Sequence, residues 1–497
     1  MPLLSDYYFN DDSLPEDLGR KTASGGIVTM SGQGIRFFLQ LGSTMVLARL
    51  LTPDDFGLIG MVMIVISFLN MFNDFGLSQA TIQRSQITRE EVSNLFWVNL
   101  AVTIFLTLCV SLCAPMVATF YGREELALLT VALASFMILQ GAGLQHRALI
   151  TRKMEFMKLA AVETGAMLVG VIVAVVLACY GFSYWALVGQ VGAVALVSLI
   201  GLFVFCRWLP SKPSVSVSIR PYLKYGGNLG GFNLLNFFSR NADNIMIGYA
   251  WGGGALGLYT KAYSLLMQPL LQINAPMTKV MLPVLSRLQG NSQEYRSYYL
   301  KAVGYVIALT FPIVGFFLAS SHSIVLILLG ENWLGAVPIF QALVPAAFIS
   351  ALNVTTGWVY LSRGTTDRQL KWTLFAAPLH ILAMFLGLRW GAVGVAWGVS
   401  TSFCVVRIPY MIYTYKGTPL ILADVLKLIG RALCVVLPAG ALTLAMTSYF
   451  EQFGAWIGVV LTGALYVVTL CALDILIFRK YGICCSLLDF KKYIVNR

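Results

Sequence analysis

Residues 222–251 read YLKYGGNLGGFNLLNFFSRNADNIMIGYAW, a run long and apolar enough to cross a bilayer that nevertheless carries Arg240 and Asp243 near its middle. A charge at the centre of a lipid-facing helix costs roughly 2.5–3.5 kcal/mol on insertion scales, so such side chains normally face a protein-lined or watery interior. Asn233, Asn236, Arg240, Asp243 and Asn244 recur at steps of three and four, which gathers them along one side of an α-helix. That side is expected to be wet.

The same layout occurs 200 residues earlier. Setting 25–48 against 225–248 pairs Gln33 with Asn233, Arg36 with Asn236, Gln40 with Arg240, Ser43 with Asp243 and Thr44 with Asn244. Gly26 and Gly226, Phe37 and Phe237, Phe38 and Phe238, and the pairs Gly57-Leu58 and Gly257-Leu258 are identical at this offset. The match reads as two structural repeats whose first helices line one central cavity, an arrangement found in transporters.

Of the 497 residues, 58% are hydrophobic and 11% charged, and the mean hydropathy is +0.77. A soluble chain carries about 25% charged residues, so a soluble protein is excluded. Apolar runs fall at 24–48, 56–79, 93–120, 126–145, 159–180 and 183–207. After a basic, proline-bearing joint they resume at 225–250, 256–283, 301–322, 335–361, 372–389 and 391–414, then 425–448 and 454–478. The expected fold is an all-α polytopic membrane protein of fourteen transmembrane helices. Its expected parts are a tail at 1–23, a lobe of helices 1–6 at 24–208, a linker at 209–224, a second six-helix lobe at 225–416 related to the first by pseudo-twofold symmetry, two C-terminal helices within 425–478, and a tail at 479–497. The acid-rich start, Met1 to Gly19, has no basic region of the signal-peptide kind and reads as a mobile tail.

The net charge of +12 is topological rather than a nucleic-acid footprint. Most Lys and Arg fall on joints of one side, which the positive-inside rule makes cytoplasmic, with both termini on that side. The opposite joints are too short for a catalytic domain. No nucleotide loop, metal motif, nucleophile elbow or carboxylate pair of the glycosidase kind occurs, so neither catalytic residues nor a cofactor nor a metal is expected.

Arg36 and Arg240 each lie near the middle of a span. Either each is tied to an acid, Arg36 to Glu163 and Arg240 to Asp243, or the pair faces the cavity as fork-like donors for an anion such as a diphosphate. Glu163 could equally carry a coupling proton. Lys261, beside Tyr259 and Tyr263, either snorkels to the head groups or touches substrate. Pro269, Pro276 and Pro283 recur at intervals of seven in one span, and Pro276, preceded by Asn274 and Ala275, is the candidate hinge.

LARLLTPDDFGLIG (47–60), FNDFGLSQATIQR (72–84), LFWVN (95–99), HRALITRKMEF (146–156), ADNIMIGYAWGGGALGLYTKAYSL (242–265), LPVLSRLQ (282–289) and GENW (330–333) carry a resemblance. Through them the chain resembles the polysaccharide transporter branch of the multidrug/oligosaccharidyl-lipid/polysaccharide exporter superfamily, in particular the Wzx-type flippases and the colanic acid or exopolysaccharide exporters. The resemblance implies two six-helix lobes in an inverted V with two peripheral helices, in a bacterial inner membrane. It implies movement of undecaprenyl-diphosphate-linked oligosaccharide repeat units from the cytoplasmic to the periplasmic leaflet by alternating access, for exopolysaccharide, colanic-acid-like or O-antigen export. Membrane lipid, a polysaccharide polymerase and a chain-length regulator are the implied partners. A cationic cavity is also implied, in which Arg36, Arg240 and Lys261 would supply the charge; Gln33, Gln40, Asn233, Asn236, Asp243 and Asn244, from the polar faces of the two repeats, are expected to line the same cavity. The competing readings are a cation-coupled multidrug exporter of the same superfamily, relying on Asp243 and Glu163, and a membrane glycosyltransferase or polymerase.

Overall fold

The computed structural model describes residues 8–9, 18–74, 76–84, 87–213 and 220–478. The helices are α1 (Leu18–Leu50), α2 (Pro53–Asn73), α3 (Leu77–Gln83), α4 (Arg89–Tyr121), α5 (Glu125–Arg152), α6 (Phe156–Cys179), α7 (Trp185–Cys206), α8 (Arg220–Arg287), α9 (Ser292–Ala319), α10 (Ser321–Leu328), α11 (Ala336–Ser362), α12 (Thr366–Gly387), α13 (Gly391–Tyr415), α14 (Leu422–Glu451) and α15 (Ala455–Phe478). α8 is two helices joined end to end, because Gly252 leaves helical geometry at φ +77°, ψ −174°. Only glycine takes that conformation without strain. With the two limbs of α8 counted separately, fourteen helices among the described residues are long enough to span a bilayer. There is no strand among the described residues. The chain is an all-α, multi-pass membrane protein.

Local sequence explains the helix ends. Thr52 and Thr88 each cap a helix in a reciprocal capping box, with Asp55 and Glu91 returning the bond to the cap's own backbone N–H. Pro53 occupies the first turn of α2, where its missing N–H costs nothing. Among the described residues ten helical stretches qualify as apolar spans, one of them covering both α12 and α13. α1 and α8 are not among these. They are the helices bearing the polar stripe, and their polarity sets them apart from helices that could sit wholly in lipid.

The chain forms two compact units, Met1–Gly257 and Leu258–Arg497. In the first, α1 lies on α6, α6 on α7, α4 on α5, and α5 on α7. The first limb of α8 groups with these helices rather than with those that follow the 209–224 joint. Aromatic packing accounts for this, since Phe68 of α2 meets Phe237 and Phe238 at ring centroid distances of 5.3 and 5.6 Å, and Phe120 meets Tyr249 at 4.8 Å. In the second unit α13 packs on α11 and α12, and α9 on α11 and α14, while α14 and α15 pair.

Within the N-terminal segment, Tyr8 is packed. Its ring is 3% exposed in a cluster with Leu77, Phe96, Leu149 and Trp208, and its hydroxyl donates to Glu155 Oε2 at 2.9 Å. Apolar burial of one aromatic ring outweighs the pull of the acidic neighbours toward water. The segment 479–497 lies outside the described residues.

Candidate functional site: an arginine-lined polar stripe

α1 approaches α6 closely at Gly32, where an added Cβ would stand 3.2 Å from that of Ala160. One turn further along both helices, Arg36 and Glu163 face each other as an ion pair. Arg147, in the last two turns of α5, donates to the other oxygen of the same carboxylate, Nη2 to Oε1 at 2.6 Å. Glu163 therefore bridges two guanidiniums, and the three groups together carry one surplus positive charge. None is sealed, since the side chains of Arg36, Glu163 and Arg147 are 26%, 21% and 50% exposed. Water or a ligand can reach them.

The rest of the stripe divides into anchored and open positions. Ser43 is buried and accepts from Gln190 Nε2 of α7 at 3.3 Å, so it serves packing. Gln33 is half-buried and Gln40 exposed. On α8, Arg240 is exposed and makes no ion pair among the described residues, with Asp243 or any other acid. Asp243 is buried and its Oδ1 accepts the backbone N–H of Asn244 at 2.8 Å. Asn244 Oδ1 is buried and has no hydrogen-bond partner. The side chains of Asn233 and Asn236 lie outside the described residues. Arg36 and Arg240 thus belong to one unit, the first paired and the second open, while Lys261 belongs to the second unit, half-buried on the second limb of α8. That limb is helical at Pro276, and Gly252 is where α8 leaves helical geometry.

Two arginines escaped the sequence reading. Arg147 stands at the end of a span and was counted with the topological charges of its joint. Arg407 of α13 was counted likewise, yet it is 4% exposed and has no acidic partner among the described residues. Its Nη1 and Nη2 donate to Asn353 Oδ1 and to the carbonyl of Leu352, each at 2.8 Å, and its Nε is buried with no acceptor. The ring of Tyr410 lies 5.9 Å from its Cζ. The signal available in sequence was depth, since Arg407 stands more than two turns inside α13. His380, half-buried within α12, is a packing histidine, with Nδ1 3.0 Å from Ser402 Oγ and its ring against Phe403.

What the stripe can do chemically is bind anions. Guanidinium forks match phosphate oxygens in pairs, and a site at intermediate exposure strengthens such bonds over their value in water. Among known families, that of polysaccharide biosynthesis proteins matches residues 46–338. The chain belongs to this family. Its relatives include the lipopolysaccharide biosynthesis protein WzxC of Escherichia coli (strain K12), 26% identical over 80% of this chain and 81% of that one. Another is the succinoglycan biosynthesis transport protein ExoT of Rhizobium meliloti (strain 1021), 26% identical over 62% of each. Among solved structures the fold is similar to the lipid II flippase MurJ in its inward closed conformation, with a TM-score of 0.71, 12% identity, and coverage of 91% of this chain and 99% of that one.

Proposed function

We propose that this member of the family is a flippase for lipid-linked oligosaccharides, moving undecaprenyl-diphosphate-linked repeat units from the cytoplasmic to the periplasmic leaflet of a bacterial inner membrane. The observation that carries the reading is the open Arg240 together with the bridged pair Arg36 and Arg147, three guanidiniums on helices of one unit, against the single carboxylate that pairs with them. A diphosphate cannot enter hydrocarbon unaided, because an unpaired charge there costs several kcal/mol or more. A stripe of guanidiniums and amides replaces its water, and the sugars follow through the wet side of α1 and α8. The relatives' names, in lipopolysaccharide biosynthesis and succinoglycan transport, and the likeness in fold to a lipid II flippase support the same reading.

In this account the protein makes and breaks no covalent bond. Transport is by alternating access of two six-helix lobes related by pseudo-twofold symmetry, Lys261 is a further substrate-binding cation, and both termini are cytoplasmic, as the distribution of Lys and Arg supports. Depletion of the protein in cells should trap the lipid-linked repeat unit on the inner leaflet, out of reach of a membrane-impermeant sugar-modifying reagent added outside. Continued labelling of the intermediate from outside after depletion would refute the function.

A further inference from the structure

We propose that Glu163 is a resident anion that occupies the phosphate position between Arg36 and Arg147 and yields it to the substrate. The inference rests on the flippase reading above. Its ground is the form of the cluster: one carboxylate, one oxygen to each guanidinium, from three different helices, at intermediate exposure. A pair meant only to staple helices needs one arginine. Here the second arginine, half-exposed, adds a charge that Glu163 cannot neutralise.

Two guanidiniums held by the two oxygens of one carboxylate are spaced to take two oxygens of any anion of that shape, and a phosphate presents the same pair of acceptors. A diphosphate brings more negative charge and more acceptor oxygens than a carboxylate, so on arrival it displaces Glu163. Glu163 stays within reach on α6, and its return to Arg36 and Arg147 helps expel the diphosphate. Bound and released states thereby differ by an exchange of anions, with neither Arg36 nor Arg147 left unpaired in either. Arg240 has no such occupant among the described residues.

Purified protein and its Glu163→Gln variant would be titrated with farnesyl diphosphate, a short lipid diphosphate, and with orthophosphate. Glutamine keeps the shape and removes the charge, so the variant should bind farnesyl diphosphate about fivefold more tightly, the scale set by one partly exposed ion pair, and should turn over substrate more slowly. The gain should vanish in the double variant Glu163→Gln, Arg147→Ala. If Glu163→Gln does not fold, Glu163→Asp replaces it, since a side chain one methylene shorter cannot bridge both arginines, and it too should bind more tightly than wild type. Equal or weaker binding by the charge-removed or shortened variant, with wild type binding normally, overturns the resident-anion proposal and leaves the flippase reading standing. If neither wild type nor variant binds farnesyl diphosphate, the proposal and the diphosphate-binding stripe fall together.

Discussion

Gly57 and Gly257, matched by the 200-residue offset of the repeat, lie against each other, so that a Cβ added to Gly257 would come within 3.2 Å of the backbone nitrogen of Gly57 and would overlap the carbonyl oxygen of Pro53. A Cβ added to Gly57 would in turn overlap the carbonyl of Gly253. Backbone meets backbone here, with no flexible side chain to give way. Small residues at helix crossings in membranes permit this approach, and its loss removes the packing that holds such helices together.

Gly57→Ala and Gly257→Ala should therefore each destabilise the protein by about 1–3 kcal/mol, the usual cost of forcing extra volume into a packed contact. Thermal unfolding in detergent would register a lower midpoint for both. Gly254→Ala is the control, since nothing lies within 4 Å of its added Cβ, and it should unfold near the wild-type temperature. An unchanged midpoint for Gly57→Ala would mean that α2 can shift freely.

Arg240 gives a test of charge against shape. Arg240→Ala should abolish polymer export with protein level intact. Arg240→Lys should retain a fraction of it, because an ammonium supplies charge without the paired donors of a guanidinium. Export assayed in a strain lacking the chromosomal copy, with immunoblotting for abundance, separates the outcomes. Full export by Arg240→Ala would remove Arg240 from the path.

Arg407 is a buried cation with no acidic partner among the described residues, and so a costly feature to keep for stability alone. Arg407→Met preserves length and removes the charge, leaving Asn353 Oδ1 and the Leu352 carbonyl without that donor. Removing the desolvated charge offsets only part of the cost of the acceptors left unpaired, about 1–3 kcal/mol for such a buried group. The variant should lose about 1–3 kcal/mol of stability and, per folded molecule, about tenfold in transport rate. A large loss of stability with transport per folded molecule unchanged would make Arg407 a packing residue.

Tyr8 is held by its buried ring and by its hydroxyl's bond to Glu155. Tyr8→Phe should cost about 1 kcal/mol, one hydrogen bond, and Tyr8→Ala about 3 kcal/mol or more, a buried aromatic. Limited proteolysis near the start of α1 should accelerate in that order. Identical cleavage rates in all three proteins would show that the segment is not held at Tyr8.

Much of this was legible in the sequence, for physical reasons that also mark where legibility ends. The helices announced themselves by apolar length, and α1 and α8 by polar residues at helical spacing, because burial and lipid exposure act on every turn. The break between the two limbs of α8 was readable as a joint at 252–255, although which glycine turns it depends on the left-handed φ that only Gly252 adopts in that joint. Arg36 could be matched with Glu163 as one of two alternatives only, since a contact across 127 residues is set by how α1 crosses α6 at Gly32 and Ala160. Arg147 and Arg407 were masked by topology, because a rule that counts arginines near span ends as cytoplasmic cannot see which of them turn inward. Tyr8 was hidden by the acidic residues around it.

The central claim is that the guanidiniums of this stripe carry a lipid diphosphate across the bilayer. Its most direct test is leaflet exchange of a labelled undecaprenyl-diphosphate-linked oligosaccharide in proteoliposomes, read as the fraction reached by an impermeant quencher over time. Wild-type protein should speed the exchange well beyond that of protein-free vesicles, and the double variant Arg36→Ala, Arg240→Ala should return it to the protein-free rate. Exchange by the double variant at the wild-type rate, or no acceleration by the wild type, would contradict the account.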